Sequence, residues 1–414
     1  MVEVVGKRKT ECEKVLGTFI DNSHFDEVIS EDMDLYAIDP LEPEKKDESN
    51  IIFKFRKGVF TQKEQDSAYA GLRSAAVESQ NRGMAAGPRG EKLGGRDWVT
   101  EFQSRVVEYF DTRAIAAEFP EYTDSVDETR GLVWLRSKIT KEFGEYEGWF
   151  DKWMNRVKDL PKDQQVEQAK KVKNFISDTN YAQTVMSGIA GYFDRYPRIP
   201  YGRACGFNEK NPDLFTKSFP YLRKLNDVFK RELPVRWGAQ RAAADKLDPR
   251  FLIDETVFTT LTVNYDFRTA AHRDAGDLSS GFSNISGIGQ GWKGCIFTLP
   301  EYRVGINLQP GDLLLVNNHD GIHGNTEFEG DDNDRVSIVA YFREKMLDLK
   351  SWDYENLRKQ FVEERRKNPE HPLQRYLWNG VSPNMWASDE WGDYLKKYNM
   401  DDEDRVVNTS NTLF

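Results

Sequence analysis

Between residues 256 and 342 the chain returns again and again to short β-branched and aromatic runs. They are TVFTTLTVNYDF (256–267), GCIFTLP (294–300), YRVGINL (302–308), DLLLVNN (312–318) and RVSIVAYF (335–342). Gly, Pro and Asn separate them, residues that interrupt regular structure and set turns, so the runs read as strands of one sheet system. Such even spacing predicts a double-sheet jelly roll, a double-stranded β-helix. Helical periodicity appears on both sides, over 126–178 and 212–247 before the strands and over 353–368 and 388–399 after them. The fold class expected is therefore α+β, with an N-terminal helical layer bracing the jelly roll and C-terminal helices following it.

At 414 residues the chain can bury a large core, as one elaborated domain or two packed units. Four regions are expected. Residues 1–60 form an acidic, turn-rich and partly irregular cap that closes on a short strand, IIFKFRKGVF (51–60). Residues 61–250 supply helical support, beginning with a helix over 62–80. That helix ends at NRGMAAGPRGEKLGGR (81–96), where five glycines and a proline leave only a long loop, the kind of element that serves as a lid or binding loop. Residues 251–346 are the jelly-roll core and 347–414 a helical extension.

No run of eighteen apolar residues occurs, and the charged start MVEVVGKRKTECEK lacks the apolar centre of a secretory signal, so no membrane partner is expected. Cys12, Cys205 and Cys295 are far apart and form no CxxC pair, which argues against a disulfide framework or a structural zinc site and suits a reducing, intracellular setting. The net charge of -11 argues against a protein that coats nucleic acid by bulk electrostatics. One segment departs from that balance: residues 191–250 hold 13 Lys and Arg against 7 Asp and Glu. Tyr192, Phe193, Tyr196, Tyr201 and Phe207 are interleaved there with Arg195, Arg198 and Arg203. The pattern suits phosphate and stacking contacts, and equally a buried aromatic seam between helices and sheet.

Three of the five histidines fall in the strand-rich region. In TAAHRDAGD, His272 and Asp274 are two apart, so an extended backbone points both to one face and Arg273 to the other. Forty-nine residues after Asp274, at the end of a strand, GIHGNT supplies His323. Two imidazoles and one carboxylate form a facial triad that leaves three positions of an iron(II) ion open, for a bidentate keto acid and for oxygen. His319 is a rival third ligand, but it sits at the strand end NNHDG, where a polar turn residue is expected anyway. Arg335 follows His323 by twelve residues at the head of the next strand, with Ser337 on its face. A guanidinium beside a hydroxyl suits the distal carboxylate of 2-oxoglutarate.

Three passages, TLTVNYDFRTAAHRDAGDLSSGFSNI, GDLLLVNNHDGIHGNT and DRVSIVAYFREKM, resemble the TET/JBP family of nucleic-acid dioxygenases, above all its phage- and algal-virus-type members. The likeness is strong over 256–346 and looser over 201–237, and the NRGMAAGP loop shares it. It implies Fe(II), 2-oxoglutarate and O2 as cofactors, with His272, Asp274 and His323 as metal ligands and Arg335 and Ser337 as 2-oxoglutarate contacts. Asn264 and Arg268 are further candidates near the proximal carboxylate.

The substrate implied is DNA with a flipped 5-methylpyrimidine, thymine or 5-methylcytosine, hydroxylated at its methyl group. Tyr341 falls where the family places an aromatic against the base. Arg343 stands where TET enzymes have a base-contacting histidine and Asp277 where they have an asparagine, and neither departure separates the two bases. Arg203 is expected among the DNA contacts, and a phage-type member would act in the cytoplasm of an infected cell. Two other readings remain: a hydroxylase of a small molecule or protein side chain on the same triad, and a non-catalytic reader of modified DNA.

Overall fold

The computed structural model of the chain describes residues 2–6, 12–79, 82–87, 183–195, 199–367 and 388–400, with 161, 164 and 386 as single positions. Apart from 161 and 164, the helix expected over 126–178 lies outside the described residues, as do positions 81 and 88–96 of the glycine-rich loop. In the N-terminal part the strands are β1 (Val2–Gly6), β2 (Glu27–Ile29), β3 (Met33–Ala37), β4 (Ile51–Arg56) and β5 (Glu78–Ser79). A long hairpin follows, β6 (Val185–Arg195) and β7 (Ile199–Ala204). The remaining strands are β8 (Thr260–Tyr265), β9 (Ser283–Gly291), β10 (Phe297–Leu299), β11 (Val304–Ile306), β12 (Leu313–Val316), β13 (Gly324–Asn325) and β14 (Asp334–Tyr341).

The described helices are α1 (Gln62–Leu72), α2 (Gly206–Lys210), α3 (Pro212–Lys217), α4 (Phe219–Glu232), α5 (Pro234–Ala244), α6 (Trp352–Lys367) and α7 (Asp389–Lys397). None is long and apolar enough to cross a membrane. Helix α1 opens on a capping box, in which Thr61 N donates to Glu64 Oε2 (2.8 Å) and Glu64 N to Thr61 Oγ1 (3.4 Å). It is shorter than its composition suggests, because residues 73–79 turn away to pair β5 with β6.

Two sheets result. The larger runs β1-β3-β4-β12-β9-β14-β8-β6-β5, with β7 paired to β6, and the smaller runs β13-β10-β11-β2. Apart from two parallel pairs, β1 with β3 and β2 with β11, neighbouring strands are antiparallel. Strict alternation then decides what each residue faces. Val336, Ile338 and Ala340 of β14, with Leu261 and Val263 of β8, pack beneath the helices against Leu222, Leu225 and Phe229 of α4. The opposite face of the large sheet, through Phe53, Phe55, Ile285, Leu314 and Val316, packs on Phe297, Leu299, Val304 and Ile306 of the small sheet. Burying each such side chain contributes about 1.5–3 kcal/mol, which ties both the strand order and the register to the sequence.

Of residues 1–60, expected as a partly irregular cap, the described ones supply strands to both sheets: β1, β3 and β4 extend the large one and β2 edges the small one. The acidic residues and turns of that segment lie between strands too short to show an alternating pattern. The aromatic-rich stretch near 192–207 forms the β6–β7 hairpin and α2, where a helical layer was expected. Gly188 of β6 shows how tightly that hairpin sits, since a Cβ there would fall 1.8 Å from the carbonyl oxygen of Ala75. Strand β9 was not anticipated at all. Its sequence, SNISGIGQG, carries few branched residues, yet it runs between β12 and β14. Helices α6 and α7 close one end through Tyr354, Phe361, Trp391 and Tyr394, packed on Tyr201 of β7.

Candidate metal centre and its cavity

Beyond β8 the chain runs antiparallel to the segment after β12. His272 N donates to His323 O (2.9 Å) and His323 N to His272 O (3.0 Å). This bridge keeps both segments extended, so His272 and Asp274 share a face and His323 meets them from across the gap. The potential ligand atoms of the three residues all lie within 4.8 Å of one another. His272 Nε2 is 3.4 Å from Asp274 Oδ1, and His323 Nε2 is 3.5 Å from Oδ2.

Each imidazole is oriented from behind. His272 Nδ1 lies 2.7 Å from Ala270 O and His323 Nδ1 lies 3.0 Å from Gly321 O. A carbonyl can only accept, so both Nδ1 atoms carry a proton and both Nε2 atoms face Asp274, donating to it when the ring is protonated and offering a lone pair to a metal when it is neutral. Phe297 stacks on His323 with ring centroids 5.5 Å apart. Asn318, which no sequence motif marks, fixes the carboxylate: Asp274 N donates to Asn318 O (2.9 Å) and Asn318 Nδ2 to Asp274 Oδ2 (3.2 Å).

The electrostatics match that geometry. Burial pushes the Asp274 carboxyl up, but hydrogen bonds from His272 and His323 and their charge outweigh it and hold the group well below the usual carboxylate range. Burial likewise pulls His272 down, while Asp274 more than compensates and leaves its pKa raised; His323 is lowered, first by burial and then by the charge of His272. A carboxylate flanked by two Nε2 atoms that can give up their protons is a donor set for a divalent metal. His319 is not part of it. Its Nδ1 is 3.0 Å from the carbonyl oxygen of Asp277 and its Nε2 3.8 Å from Asp320.

The three residues open onto a cavity of about 340 Å³ between the sheets, into which β8 and β14 turn Thr262, Asn264, Ser337, Val339 and Tyr341. Arg335 also lines it. The register of β14 against β9 shifts between Asp334 and Val336, where β9 carries one extra residue, and Arg335 keeps the face of Ser337. The Arg335 side chain is 3% exposed, its guanidinium lies 5.3 Å from the Trp292 ring centroid, and its Nε is buried without a hydrogen-bond partner. A buried guanidinium left so is costly unless an anion joins it, so this end of the cavity fits a carboxylate ligand. Ser337 stands opposite Asn264, whose Nδ2 donates to Ser337 Oγ (3.4 Å) and whose Oδ1 accepts from Ser187.

At the far side Tyr341, Asp277 and Arg343 come together. Burial, and then the charge of Asp277, push the Tyr341 hydroxyl far up, so it stays a neutral donor. Arg343 Nε donates to Asp194 Oδ1 (2.8 Å), and Ser283 Oγ donates to Asp277 Oδ2 (2.7 Å). Arg82 of the glycine-rich loop, a position that sequence reasoning did not name, also lines this wall.

Two expected contacts are not brought here. Arg268 is drawn away by Ile20 O (2.7 Å), the Phe19 ring (4.5 Å) and Glu327 (3.6 Å). Arg203 lies over the Phe193 ring at 4.8 Å and is not in the cavity wall. Of the interleaved aromatics, Tyr201 and Phe193 are buried, in keeping with an aromatic seam, while Tyr196 and Arg198 lie outside the described residues.

Residues 188–344, which span the three candidate ligands and Arg335, match the family model Tet_JBP, described as the oxygenase domain of the 2OGFeDO superfamily. A "Thymine dioxygenase JBP1" of Leishmania braziliensis is 34% identical over 168 residues, covering 39% of this chain and 20% of that protein. "Thymine dioxygenase JBP1-B" of Trypanosoma cruzi is 36% identical over 165 residues, covering 38% and 19%. The match thus spans about a fifth of the length of these relatives. Among solved structures, "NgTET1 in complex with 5mC DNA" aligns over 49% of this chain and 77% of that one, at 13% identity and a TM-score of 0.34, too slight a likeness to bear on substrate. The superfamily is defined by iron(II), 2-oxoglutarate and O2, and the donor set and the partnerless Arg335 fit the first two. Over residues 188–344, this chain is similar to the oxygenase domain that the Tet_JBP model describes.

Proposed function

We propose that this chain is an iron(II)- and 2-oxoglutarate-dependent dioxygenase that hydroxylates the 5-methyl group of thymine in DNA. One observation carries the reading: a single cavity holds His272, Asp274 and His323 together with a buried Arg335 whose Nε has no partner. Bound iron(II), 2-oxoglutarate and O2 would supply the oxidant that turns the methyl into a hydroxymethyl group, leaving succinate and carbon dioxide.

The protein's part is placement and exclusion of water. The two Nε2 atoms and the Asp274 carboxylate would hold the metal at the edge of the cavity. Arg335 and Ser337 take the distal carboxylate, and Asn264, pinned between Ser187 and Ser337, sits beside it. In this reading the two facing sheets are the double-stranded β-helix. The base leaves its duplex to reach the metal, rests on Tyr341 and presents its edge to Asp277 and Arg343. Thymine is favoured over 5-methylcytosine because relatives 34% and 36% identical are named thymine dioxygenases.

The test is mass spectrometry of nucleosides from DNA treated with protein, iron(II), 2-oxoglutarate and O2. 5-Hydroxymethyluracil is expected. 5-Hydroxymethylcytosine alone would move the substrate to 5-methylcytosine. Consumption of 2-oxoglutarate without either product would redirect the site to a small molecule or protein, and DNA binding without consumption would make the protein a reader.

A further inference from the structure

Beside the metal cavity lies a second of about 910 Å³, and the two share Arg82, Tyr341 and Arg343 in their walls. The rings of Phe193 and Phe207, the hydroxyls of Ser187 and Thr260 and the Lys210 side chain also border it.

Arg82 stands at the junction. Its Nε is buried without a hydrogen-bond partner, and it forms no ion pair among the described residues. Burial pulls its pKa below the usual arginine value, offset only in part by Tyr341 and Asp274. Arg343, its neighbour in both walls, is already engaged by Asp194 at 2.8 Å. Arg82 is thus a partly buried cation, open on two cavities, whose Nε lacks the acceptor that such a group requires. Its planar fork suits an oxyanion held in two places.

The proposed reaction brings one such anion to this spot. A base that rests on Tyr341 carries its sugar and phosphate with it, and these must occupy the space on the far side of the shared wall. We propose that the second cavity receives the sugar and phosphate of the flipped nucleotide and that Arg82 clamps its phosphodiester. The inference rests on the DNA reading above and adds to it a binding site and a residue.

The test uses the full chain and duplex oligonucleotides with one target thymine, in which the phosphate on either side is replaced in turn by an uncharged methylphosphonate. Binding is measured at one fixed salt concentration for wild type, Arg82→Gln and Arg82→Lys. One of the two neutralisations should weaken wild-type binding by about tenfold or more, the loss of a charge-assisted contact. Arg82→Gln should weaken binding to the unmodified duplex by a similar factor and lose nothing further on the neutralised one, while Arg82→Lys recovers part of the affinity. The melting temperature of Arg82→Gln should not fall, because no partner is lost. An undiminished methylphosphonate penalty in Arg82→Gln, a loss of 2-oxoglutarate affinity in its place, or a lowered melting temperature would each overturn the clamp. A wild-type protein that binds no DNA would refute the functional reading itself, a result distinct from all three.

Discussion

Replacing Arg335 separates a co-substrate anchor from a structural cation. Arg335 is 3% exposed and stacks on Trp292, and its Nε has no hydrogen-bond partner within the protein. Lysine keeps the charge but presents a point donor where arginine presents a fork, so a carboxylate gripped twice would be gripped once. Losing one charge-assisted hydrogen bond costs about 1.5–3 kcal/mol, or roughly ten- to a hundred-fold in affinity. Arg335→Lys should therefore need that much more 2-oxoglutarate at saturating iron(II) and DNA, yet purify with unchanged metal content. Arg335→Met, close in volume and uncharged, should lose 2-oxoglutarate binding and melt no lower than wild type, because it breaks no ion pair and removes a desolvated charge. The assays are the apparent 2-oxoglutarate affinity, metal analysis and thermal melting. If the lysine variant binds 2-oxoglutarate normally, the anchor lies elsewhere. If it loses metal, or if Arg335→Met melts lower with affinity intact, Arg335 supports the fold and the argument from its partnerless Nε fails.

Two further expectations concern the metal. His272→Ala, Asp274→Ala or His323→Ala should each abolish iron-dependent turnover and metal retention, whereas His319→Ala, whose ring bonds a backbone carbonyl outside the cluster, should keep most of both; a dead His319 variant beside an active His323 variant would exchange the two assignments. Metal binding requires neutral imidazoles, and His272 in the metal-free protein has its pKa raised above 6.5, burial opposing and Asp274 prevailing. Protonation therefore competes with the metal through pH 6.5 and above, and manganese(II) affinity should climb with pH across that range; a flat profile would contradict the raised value. By linkage, the same shift stabilises the metal-free fold below about pH 6.5 and is lost as pH rises through the raised pKa, an effect visible in melting temperature.

How much of this was legible beforehand depended on whether a residue's neighbours were local. The spacing of His272 and Asp274 carries its own geometry once the backbone is extended, and the bridge to His323 provides that extension. The C-terminal helices, expected over 353–368 and 388–399, appear as Trp352–Lys367 and Asp389–Lys397 because their caps and periodicity are properties of the segment itself. Strand β9 escaped notice because its glycines earn their place by contacts: a Cβ at Gly287 would fall 2.6 Å from Trp292.

The sequence alone determined the alternation that sends Val336, Ile338 and Ala340 to the helices and Ser337 and Tyr341 to the other face, because a strand's period of two is fixed by its backbone. It also determined which residue types could bind a metal and a dicarboxylate. Tertiary structure decided which of them meet. Arg268 is three residues from β8 yet is pulled out to Ile20 and Glu327, while Arg82, 190 positions before His272, lines the cavity. It decided too that Asn318 steadies Asp274 and that His319 faces Asp277. These outcomes rest on chain crossings between distant segments, and the direction in which a long charged side chain leaves its backbone follows the acceptors that folding places within its reach.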